Sequence, residues 1–183
     1  MALNFSEMTL SEAAAEKHLR YLTNIHIVVE KRKYRLDLYS DTTLVKSYKA
    51  VFGRSNLQKK VSFNDKKTPS GKYLICDIDT VSQYRKFFRI NYPNETDLQE
   101  ALRQGLITEA EFEKAYLAIQ NNQCPQSAKI NQLGIHGIGR LNFIFKNLPF
   151  VYNWTNGSIA ISNESVDELY PLIKQGTEVE IKD

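Results

Sequence analysis

Apolar and polar residues alternate through much of the first half of the chain, and this period of two predicts short β-strands. Residues 25–30 are rich in β-branched side chains. After the basic turn at Lys31-Arg32-Lys33, apolar residues recur at Tyr34, Leu36 and Leu38, so the two runs predict a hairpin. Polar turns separate the other predicted strands, which lie at 44–52, 72–78, 84–90, 133–135, 158–162 and 177–182. Many short strands joined by turns favour a mixed or antiparallel sheet over alternating parallel strands and helices.

Helices are predicted in three segments of the chain. A Thr-x-x-Glu capping box at 9–12 predicts a helix that ends near residue 22, because the threonine and glutamate side chains satisfy free amides of the first turn. A second box at 108–111 opens the second helix of a predicted hairpin between 95 and 123. A third helix is predicted to begin at Asn163-Glu164.

The chain is expected to form one domain at 25–183, with a helical extension at 1–24 and a helical insertion at about 95–123. Its 183 residues are enough for one full core. An apolar share of 42% with 25% charged residues is typical of a globular protein. The predicted fold class is mixed α+β and mainly β, with an inserted helical hairpin and a C-terminal helix followed by a strand.

Charge and hydropathy narrow the classes of partner. The net charge of +3 is a mild excess, and the basic runs are short, so no nucleic-acid partner is predicted. No stretch approaches the roughly 20 apolar residues of a transmembrane helix, so no transmembrane segment is predicted. Residues 1–10 lack the basic and apolar regions of a secretory signal. A cytoplasmic protein and a chain whose targeting segment has been removed both fit that observation.

The cysteines and histidines do not form a metal-binding pattern. Cys76 and Cys124 lie far apart in the sequence, and the histidines, His18, His26 and His136, are scattered. No metal or other cofactor is therefore implied. The two cysteines either form one disulfide or remain separate thiols, and their spacing does not decide between these states.

Two short motifs could carry acyl-transfer chemistry. His136 ends an apolar run and is flanked by glycines, so a substrate can approach it closely. Ser158 follows Asn156-Gly157 at a predicted turn that enters a strand, where a nucleophile and backbone amides can be presented together. Each motif alone is weak, because an isolated histidine is more often structural and Asn-Gly-Ser is first of all a turn sequence.

Read with their surroundings, these motifs resemble the catalytic domain of the L,D-transpeptidases, also called the YkuD domain. The similarity runs from about Ile25 to the C-terminus and implies a β sandwich of that family. The stretches that carry it are the hairpin strand 34–39, the strand 44–53, the Thr-Pro-x-Gly turn within 67–73, the motif Ile135-His136-Gly137, and 154–181. The last stretch begins Trp-Thr-Asn-Gly-Ser-Ile-Ala, where the family has cysteine in place of this serine.

The resemblance implies a reaction and roles for these residues. In the family, a cysteine thiolate attacks the amide after the third residue of a peptidoglycan stem peptide, and an amine or water then takes the acyl group. His136 would be the base, and the carbonyl of Gly137 would orient its imidazole. The amides of Gly157 and Ser158 would hold the oxyanion. The positions expected to bind substrate are Arg140, Trp154, Thr155 and Asn156.

Serine at position 158 is the main departure from the family pattern. A thiol with a pKa of about 8.5 is partly ionised at neutral pH, whereas a serine hydroxyl needs an aligned base, usually with a carboxylate behind it. The resemblance supplies only a carbonyl behind His136. We therefore expect this chain to transfer acyl groups poorly or not at all. The favoured origin is an engineered cysteine-to-serine change, and the alternatives are a natural pseudo-enzyme and a true serine variant.

A second departure concerns recognition of the substrate carboxylate. Ala160 stands where many family members have arginine, and Asn156 where many have histidine. The residue that binds the carboxylate is then unassigned, and Arg140 is the least arbitrary candidate because it follows His136 closely. The other candidate cations are Arg54, Lys72, Arg85 and Arg89. A solvated loop arginine is an equally simple interpretation of Arg140.

The resemblance leaves three functions to separate. The first is L,D-transpeptidase-type acyl transfer, impaired by Ser158. The second is an L,D-carboxypeptidase, which passes the same acyl group to water. The third is a non-catalytic peptidoglycan-binding protein that kept the fold. In each case the expected partner is a peptidoglycan stem peptide, and the expected location is the bacterial cell envelope, periplasmic or secreted.

Overall fold

A computed structural model describes residues 8–54, 60, 62–63, 65–126, 132–147 and 152–183 of the chain. The polar segment between the predicted strands 44–52 and 72–78, and the predicted extension at 1–24, lie partly outside these residues. The strands are β1 (Ile25–Glu30), β2 (Arg35–Ser40), β3 (Thr43–Lys49), β4 (Gly71–Asp79), β5 (Phe87–Ile90), β6 (Gly134–His136), β7 (Ile159–Ala160) and β8 (Glu178–Lys182). The α-helices are α1 (Leu10–Glu16), α2 (Glu95–Arg103), α3 (Glu109–Gln120), α4 (Asn142–Asn147) and α5 (Asn163–Leu169), with 3-10 helices at Lys31–Lys33 and Gly139–Leu141.

The strands form one mixed sheet in the order β3-β2-β1-β8-β4-β5-β6-β7. The pairs β1–β8 and β6–β7 are parallel, and the other neighbours are antiparallel. The sheet curls until its two ends meet, since Val51 after β3 bridges Ala160 of β7. Both halves of the sheet therefore face one core, and the predicted fold class, mixed α+β and mainly β, is confirmed.

The apolar residues of the alternating sequence pattern lie on the face of the sheet that packs against this core. Ile27 and Val29 of β1, and Leu36 and Leu38 of β2, are fully buried in a single cluster. Because side chains of a strand alternate between its two faces, each strand contributes every second residue to the core. Helix α5 packs on the same cluster through residues that include Leu169.

The predicted helical insertion is a pair of helices, α2 and α3, covering the core. The box at Thr108 forms as predicted, and Asn94 caps α2 in the same way. Cys76 of β4 is disulfide-bonded to Cys124, just after α3, which settles the state of the two cysteines and ties the insertion to the sheet. None of the helices in the described residues is long and apolar enough to cross a membrane.

Several predicted element boundaries were wrong. Helix α1 ends at Glu16 rather than near residue 22, because His18 adopts a left-handed conformation with φ of 57° that stops the helix. Helix α5 is capped by the hydroxyl of Ser162 and not by Asn163. The Asn163 side chain instead bonds both backbone groups of Gly139 at 2.9 Å, so it fixes the segment that follows His136.

Candidate active site

The parallel pairing of β6 with β7 brings the two sequence motifs together. His136 lies opposite Ala160 in this register, and Ser158 directly precedes β7. The side chains of His136 and Ser158 line one cavity of about 290 Å³, called here the site cavity. Its other described lining residues are Tyr84, Phe87, Gln132, Leu133, Trp154, Thr155 and Asn156.

The orientation of the His136 ring is fixed by the backbone of the next residue. Its Nδ1 lies 2.7 Å from the carbonyl oxygen of Gly137. A carbonyl can only accept, so Nδ1 carries the proton of the neutral ring and the Nε2 lone pair is left for a substrate or nucleophile proton. Among the described residues, Gly137 is the hydrogen-bond partner of this ring, and no carboxylate takes that place.

Burial makes His136 neutral over most of the pH range. The residue is only 4% exposed. This burial lowers the pKa of His136 from 6.5 to about 4, because a charged imidazole loses its hydration, while the bond to Gly137 acts in the opposite direction. The ring is therefore unprotonated at neutral pH, as a general base must be, but it is a weak base.

Three aromatic rings surround the imidazole. The centroid of Tyr84 lies 4.5 Å from that of His136, Phe87 lies 5.5 Å away edge-on, and Trp154 lies 6.1 Å away edge-on. Trp154 was a predicted site residue, whereas Tyr84 and Phe87 were not. The sequence places both in an alternating strand, but their role depends on the pairing of β5 with β6, which sets Phe87 opposite His136.

The turn before Ser158 is held by Thr155 and by close packing. The Thr155 hydroxyl donates to the Ser158 carbonyl at 2.6 Å and accepts from the Gly157 amide at 3.2 Å. Gly157 has a φ of 115°, and a Cβ there would lie 2.8 Å from the carbonyl oxygen of Lys67. Only glycine fits this conformation and this space. Lys67 directly precedes the predicted Thr-Pro-x-Gly turn, so this segment packs against the turn before Ser158.

The Ser158 hydroxyl has a hydrogen-bond partner, whereas its backbone amide donates to none of the described residues. Its Oγ accepts a hydrogen bond from the backbone amide of Gly134 at 3.3 Å, and the residue is 9% exposed. Within the described ranges, the Ser158 amide donates no hydrogen bond. The Gly157 amide, the other predicted oxyanion donor, is bonded to Thr155. The amide of Ser158 is therefore the better placed of the two to receive a developing negative charge.

The cations considered for the substrate carboxylate lie outside the site cavity. Arg140 is exposed on the 3-10 helix Gly139–Leu141, and it is not among the described residues that line the cavity. Arg85 pairs with Asp167. Ala160 is fully buried and packs with an apolar cluster, so its position has no room for an exposed charge. None of the cavity's described lining residues is lysine or arginine.

A metal site does not accompany this arrangement in the part of the chain that the structure describes. There, no group of three or more His, Cys, Asp or Glu side chains could hold an ion. The groups that the structure brings together at the cavity are a buried imidazole, a hydroxyl and backbone amides, which are the kinds of group that an acyl-transfer site uses.

Solved structures share the fold at low sequence identity. Bd1075 of Bdellovibrio bacteriovorus matches 88% of this chain at 18% identity with a TM-score of 0.54, and this match covers 49% of its own chain. The helical cell shape determining protein Pgp2 of Campylobacter jejuni matches 96% of this chain at 16% identity with a TM-score of 0.52, over 56% of its own chain. L,D-transpeptidase 3 of Mycobacterium tuberculosis matches 87% at 11% identity with a TM-score of 0.51, over 61% of its own chain.

The chain thus spans about half to three fifths of the length of these proteins. No protein of curated function matches its sequence significantly. The sequence profile of the YkuD family, described as the L,D-transpeptidase catalytic domain, matches residues 24–181. This match covers most of the chain and includes both motifs of the site cavity. The chain therefore belongs to the YkuD family of L,D-transpeptidase catalytic domains.

Proposed function

We propose that this chain carries an L,D-transpeptidase-type acyl-transfer site for peptidoglycan stem peptides, and that serine at position 158 impairs it. In this proposal residue 158 is the nucleophile position and His136 is the base. The observation that carries the proposal is the buried imidazole of His136, oriented by Gly137 at 2.7 Å, in the same cavity as Ser158. Membership of the YkuD family supplies the reaction class.

In this proposal His136 acts as the tautomer that carries its proton on Nδ1. The Gly137 carbonyl holds the proton of His136 on Nδ1, so Nε2 accepts the proton of the attacking group. Because the pKa of His136 is lowered to about 4 by burial, the ring does not ionise a thiol in advance. It takes the proton during the attack, when the nucleophile forms its bond to the substrate carbonyl.

Cysteine would suit this environment better than serine. A thiol has a pKa of about 8.5, so a weak neutral base suffices to remove its proton. A serine hydroxyl requires a stronger base, and the carboxylate that strengthens the histidine of serine hydrolases is replaced here by the Gly137 carbonyl. The Gly134 amide, which donates to the Ser158 hydroxyl at 3.3 Å, would also stabilise a thiolate at this position.

The tetrahedral intermediate places its negative oxygen near the nucleophile's own amide. We infer that the Ser158 amide is the main oxyanion donor and that the Gly157 amide contributes less, because Thr155 already accepts its hydrogen bond. Trp154 and Asn156 line the same cavity and would contact the stem peptide. The surrounding aromatic rings would exclude water from the acyl group and favour transfer to an amine.

Peptidoglycan stem peptides are the proposed partner, and the proposed location is the bacterial cell envelope, periplasmic or secreted. Both follow from the family. Attack at the amide after the third residue releases the fourth residue and leaves the acyl group on residue 158. An amine acceptor then yields a cross-link, while water yields a shortened peptide.

The test restores the nucleophile. Ser158→Cys is incubated with a muropeptide that carries a tetrapeptide stem, and the intact protein mass is measured. We expect an added mass equal to the acyl group, absent from the original chain, from Ser158→Ala and from the double variant Ser158→Cys with His136→Asn. A folded Ser158→Cys protein that forms no acyl-enzyme, yet binds muropeptides, would instead indicate a non-catalytic binding protein.

The products separate the two catalytic alternatives. With an amine-bearing acceptor peptide in excess, a transpeptidase gives cross-linked dimer. An L,D-carboxypeptidase gives only the tripeptide under the same conditions. Chromatography of the muropeptides measures both products in one experiment, so the ratio of dimer to tripeptide reports how well the cavity admits an acceptor.

A further inference from the structure

An ion-paired turn packs behind the His136 ring. The turn at residues 82–86, called here the 82–86 turn, leads into β5. Asp167 of α5 accepts two hydrogen bonds from the Nε of Arg85, at 3.1 and 3.2 Å, and pairs with a terminal nitrogen of the same guanidinium at 3.0 Å. The ammonium group of Lys86 pairs with the same carboxylate. One acidic side chain thus anchors two consecutive basic residues.

This turn contacts the backbone that orients the imidazole. The Lys86 carbonyl accepts a hydrogen bond from the Gly137 amide at 3.3 Å. A Cβ on Gly137 would lie 2.5 Å from the Tyr84 carbonyl oxygen and 3.1 Å from the Cβ of Arg85, so the two segments are in close contact. The ring of Tyr84 lies on His136 with 4.5 Å between centroids. A displacement of the turn would therefore move both the ring contact and Gly137.

The conformation of the turn needs a restraint from outside. Arg85 has a φ of 78°, in the left-handed region that a non-glycine residue rarely adopts. Such a conformation is strained and persists only when its surroundings hold it. The local bonds of the turn join Arg85 to Ser82 and Lys86 to Tyr84. The charged side-chain restraint comes from Asp167, which lies 81 and 82 positions further along the chain. The Lys86 ammonium also lies 5.1 Å from the ring centroid of Tyr170.

We propose that Asp167 is a positioning residue of the active site: through Arg85 and Lys86 it holds the 82–86 turn, and with it Tyr84 and Gly137, in contact with His136. Asp167 is not among the described lining residues of the site cavity, so it acts only through these contacts. The inference deepens the proposed function, because a base whose tautomer depends on Gly137 loses orientation when Gly137 moves.

The experiment compares two carboxylates of the same helix. Asp167→Asn removes the anchor, and Asp167→Glu restores the charge on a longer side chain. The matched control is Glu168→Gln, because Glu168 is the next residue of α5 and pairs with Lys46 at 2.5 Å on the side of α1 and β3. A general effect on helix stability would appear in both Asn and Gln variants, whereas a positioning effect would appear at Asp167 alone.

The first readout is structural and does not require acyl transfer. In the full chain with Ser158 in place, NMR follows the imidazole Nδ1–H of His136, which the Gly137 carbonyl protects from exchange. Asp167→Asn should shift this resonance and speed its exchange with water, Asp167→Glu should restore it in part, and Glu168→Gln should leave it unchanged. A folded Asp167→Asn protein with an unaltered His136 resonance would overturn the proposal, whatever the activity of the enzyme.

The second readout is kinetic and uses the Ser158→Cys chain. Misplacing the base should lower kcat about tenfold or more with little change in KM, and Glu168→Gln should change neither. Arg85→Gln keeps the ion pair of Lys86 with Asp167 and should therefore give a smaller decrease in kcat. It replaces Asp167→Asn in the test if that variant does not fold. Equal kinetic losses in Asp167→Asn and Glu168→Gln would refute a positioning role. If Ser158→Cys transfers no acyl group at all, the proposed function fails while the NMR result still decides this inference.

Discussion

The buried imidazole of His136 should make the protein less stable in mild acid, and the size of the effect follows from its pKa. In the unfolded chain a histidine protonates below 6.5, whereas burial lowers the pKa in the folded state to about 4. Between these two values the unfolded state binds more protons, so the free energy of unfolding falls as the pH falls. The contribution is complete above 6.5 and is lost progressively toward pH 4.

The size of this contribution is set by the difference between the two pKa values of His136. Each pKa unit corresponds to about 1.4 kcal/mol, so the full contribution is about 3 kcal/mol. At about pH 5 the loss relative to neutral pH should be about 2 kcal/mol. This is a large fraction of the stability of a single domain, which is typically about 5–15 kcal/mol.

Urea unfolding at neutral pH and at about pH 5 measures this loss, with the fluorescence of the single tryptophan as the signal. The comparison variant is His136→Asn, whose amide can still donate to the Gly137 carbonyl but does not titrate. The other histidines and all carboxylates are present in both proteins, so their effects cancel in the difference. The original chain should lose about 2 kcal/mol more than His136→Asn. Equal losses in the two proteins would refute the argument that burial lowers the pKa of His136.

Three further changes test other parts of the structure. Gly157→Ala should lower the free energy of unfolding by about 2 kcal/mol or more, because its φ of 115° and the 2.8 Å approach to Lys67 both exclude a methyl group; a stability equal to that of the parent, measured in urea, would contradict this packing. Replacing Cys76 and Cys124 by alanine removes a disulfide that spans 48 positions. The free energy of unfolding, measured with heat and with urea, should fall by about 4 kcal/mol. An unchanged unfolding midpoint would argue against the disulfide. Arg140→Ala in Ser158→Cys should change KM by less than about fivefold, since Arg140 is exposed; a larger increase in steady-state assays would support its predicted role in substrate binding.

The sequence was informative where a local rule decides the structure. Strands β1 and β2 were predicted because residues such as Ile27 and Leu38 alternate with polar ones, and both are fully buried. The boxes at Thr9 and Thr108 form the predicted caps, since their hydrogen bonds link residues three positions apart. In each case the partners are close in the chain, so the pattern contains the whole interaction.

Prediction failed where apolar spacing had a different cause. Leu19 and Leu22 follow the spacing of a helix, yet they pack against the core after α1 has ended. Helix α4 was not predicted, because its six residues are rich in aromatic side chains, which are poor helix formers, and only Phe145 is buried. Its stability depends on contacts with residues distant in the sequence, which no local pattern reports.

The motifs contain the two residues proposed as base and nucleophile position, but the surroundings of His136 depend on the order of the strands in the sheet. Strand β8 lies between β1 and β4, although strands that follow each other in the sequence are usually neighbours in a sheet. Only the pairing of β5 with β6 sets Phe87 opposite His136 and brings Tyr84 beside it. Asp167 pairs with Arg85 of the 82–86 turn, 82 positions away in the sequence. A hydrophobic pattern reports only local periodicity, so it could not predict this contact. The sequence could therefore suggest a base and a nucleophile position, but not the groups that surround His136.

Much of the site does not depend on whether residue 158 carries the oxygen of serine or the sulfur of cysteine. Gly157 and Gly137 are required by packing against Lys67 and Tyr84, and the tautomer of His136 is set by a backbone carbonyl. None of these contacts uses the Ser158 hydroxyl. Its one described hydrogen bond comes from the Gly134 amide, which can equally face a thiolate. Replacing oxygen by sulfur should then alter the acidity of the nucleophile while the base and the oxyanion amide stay in place. For this reason the activity of Ser158→Cys, compared with that of the original chain, tests the proposal that serine at position 158 impairs the site.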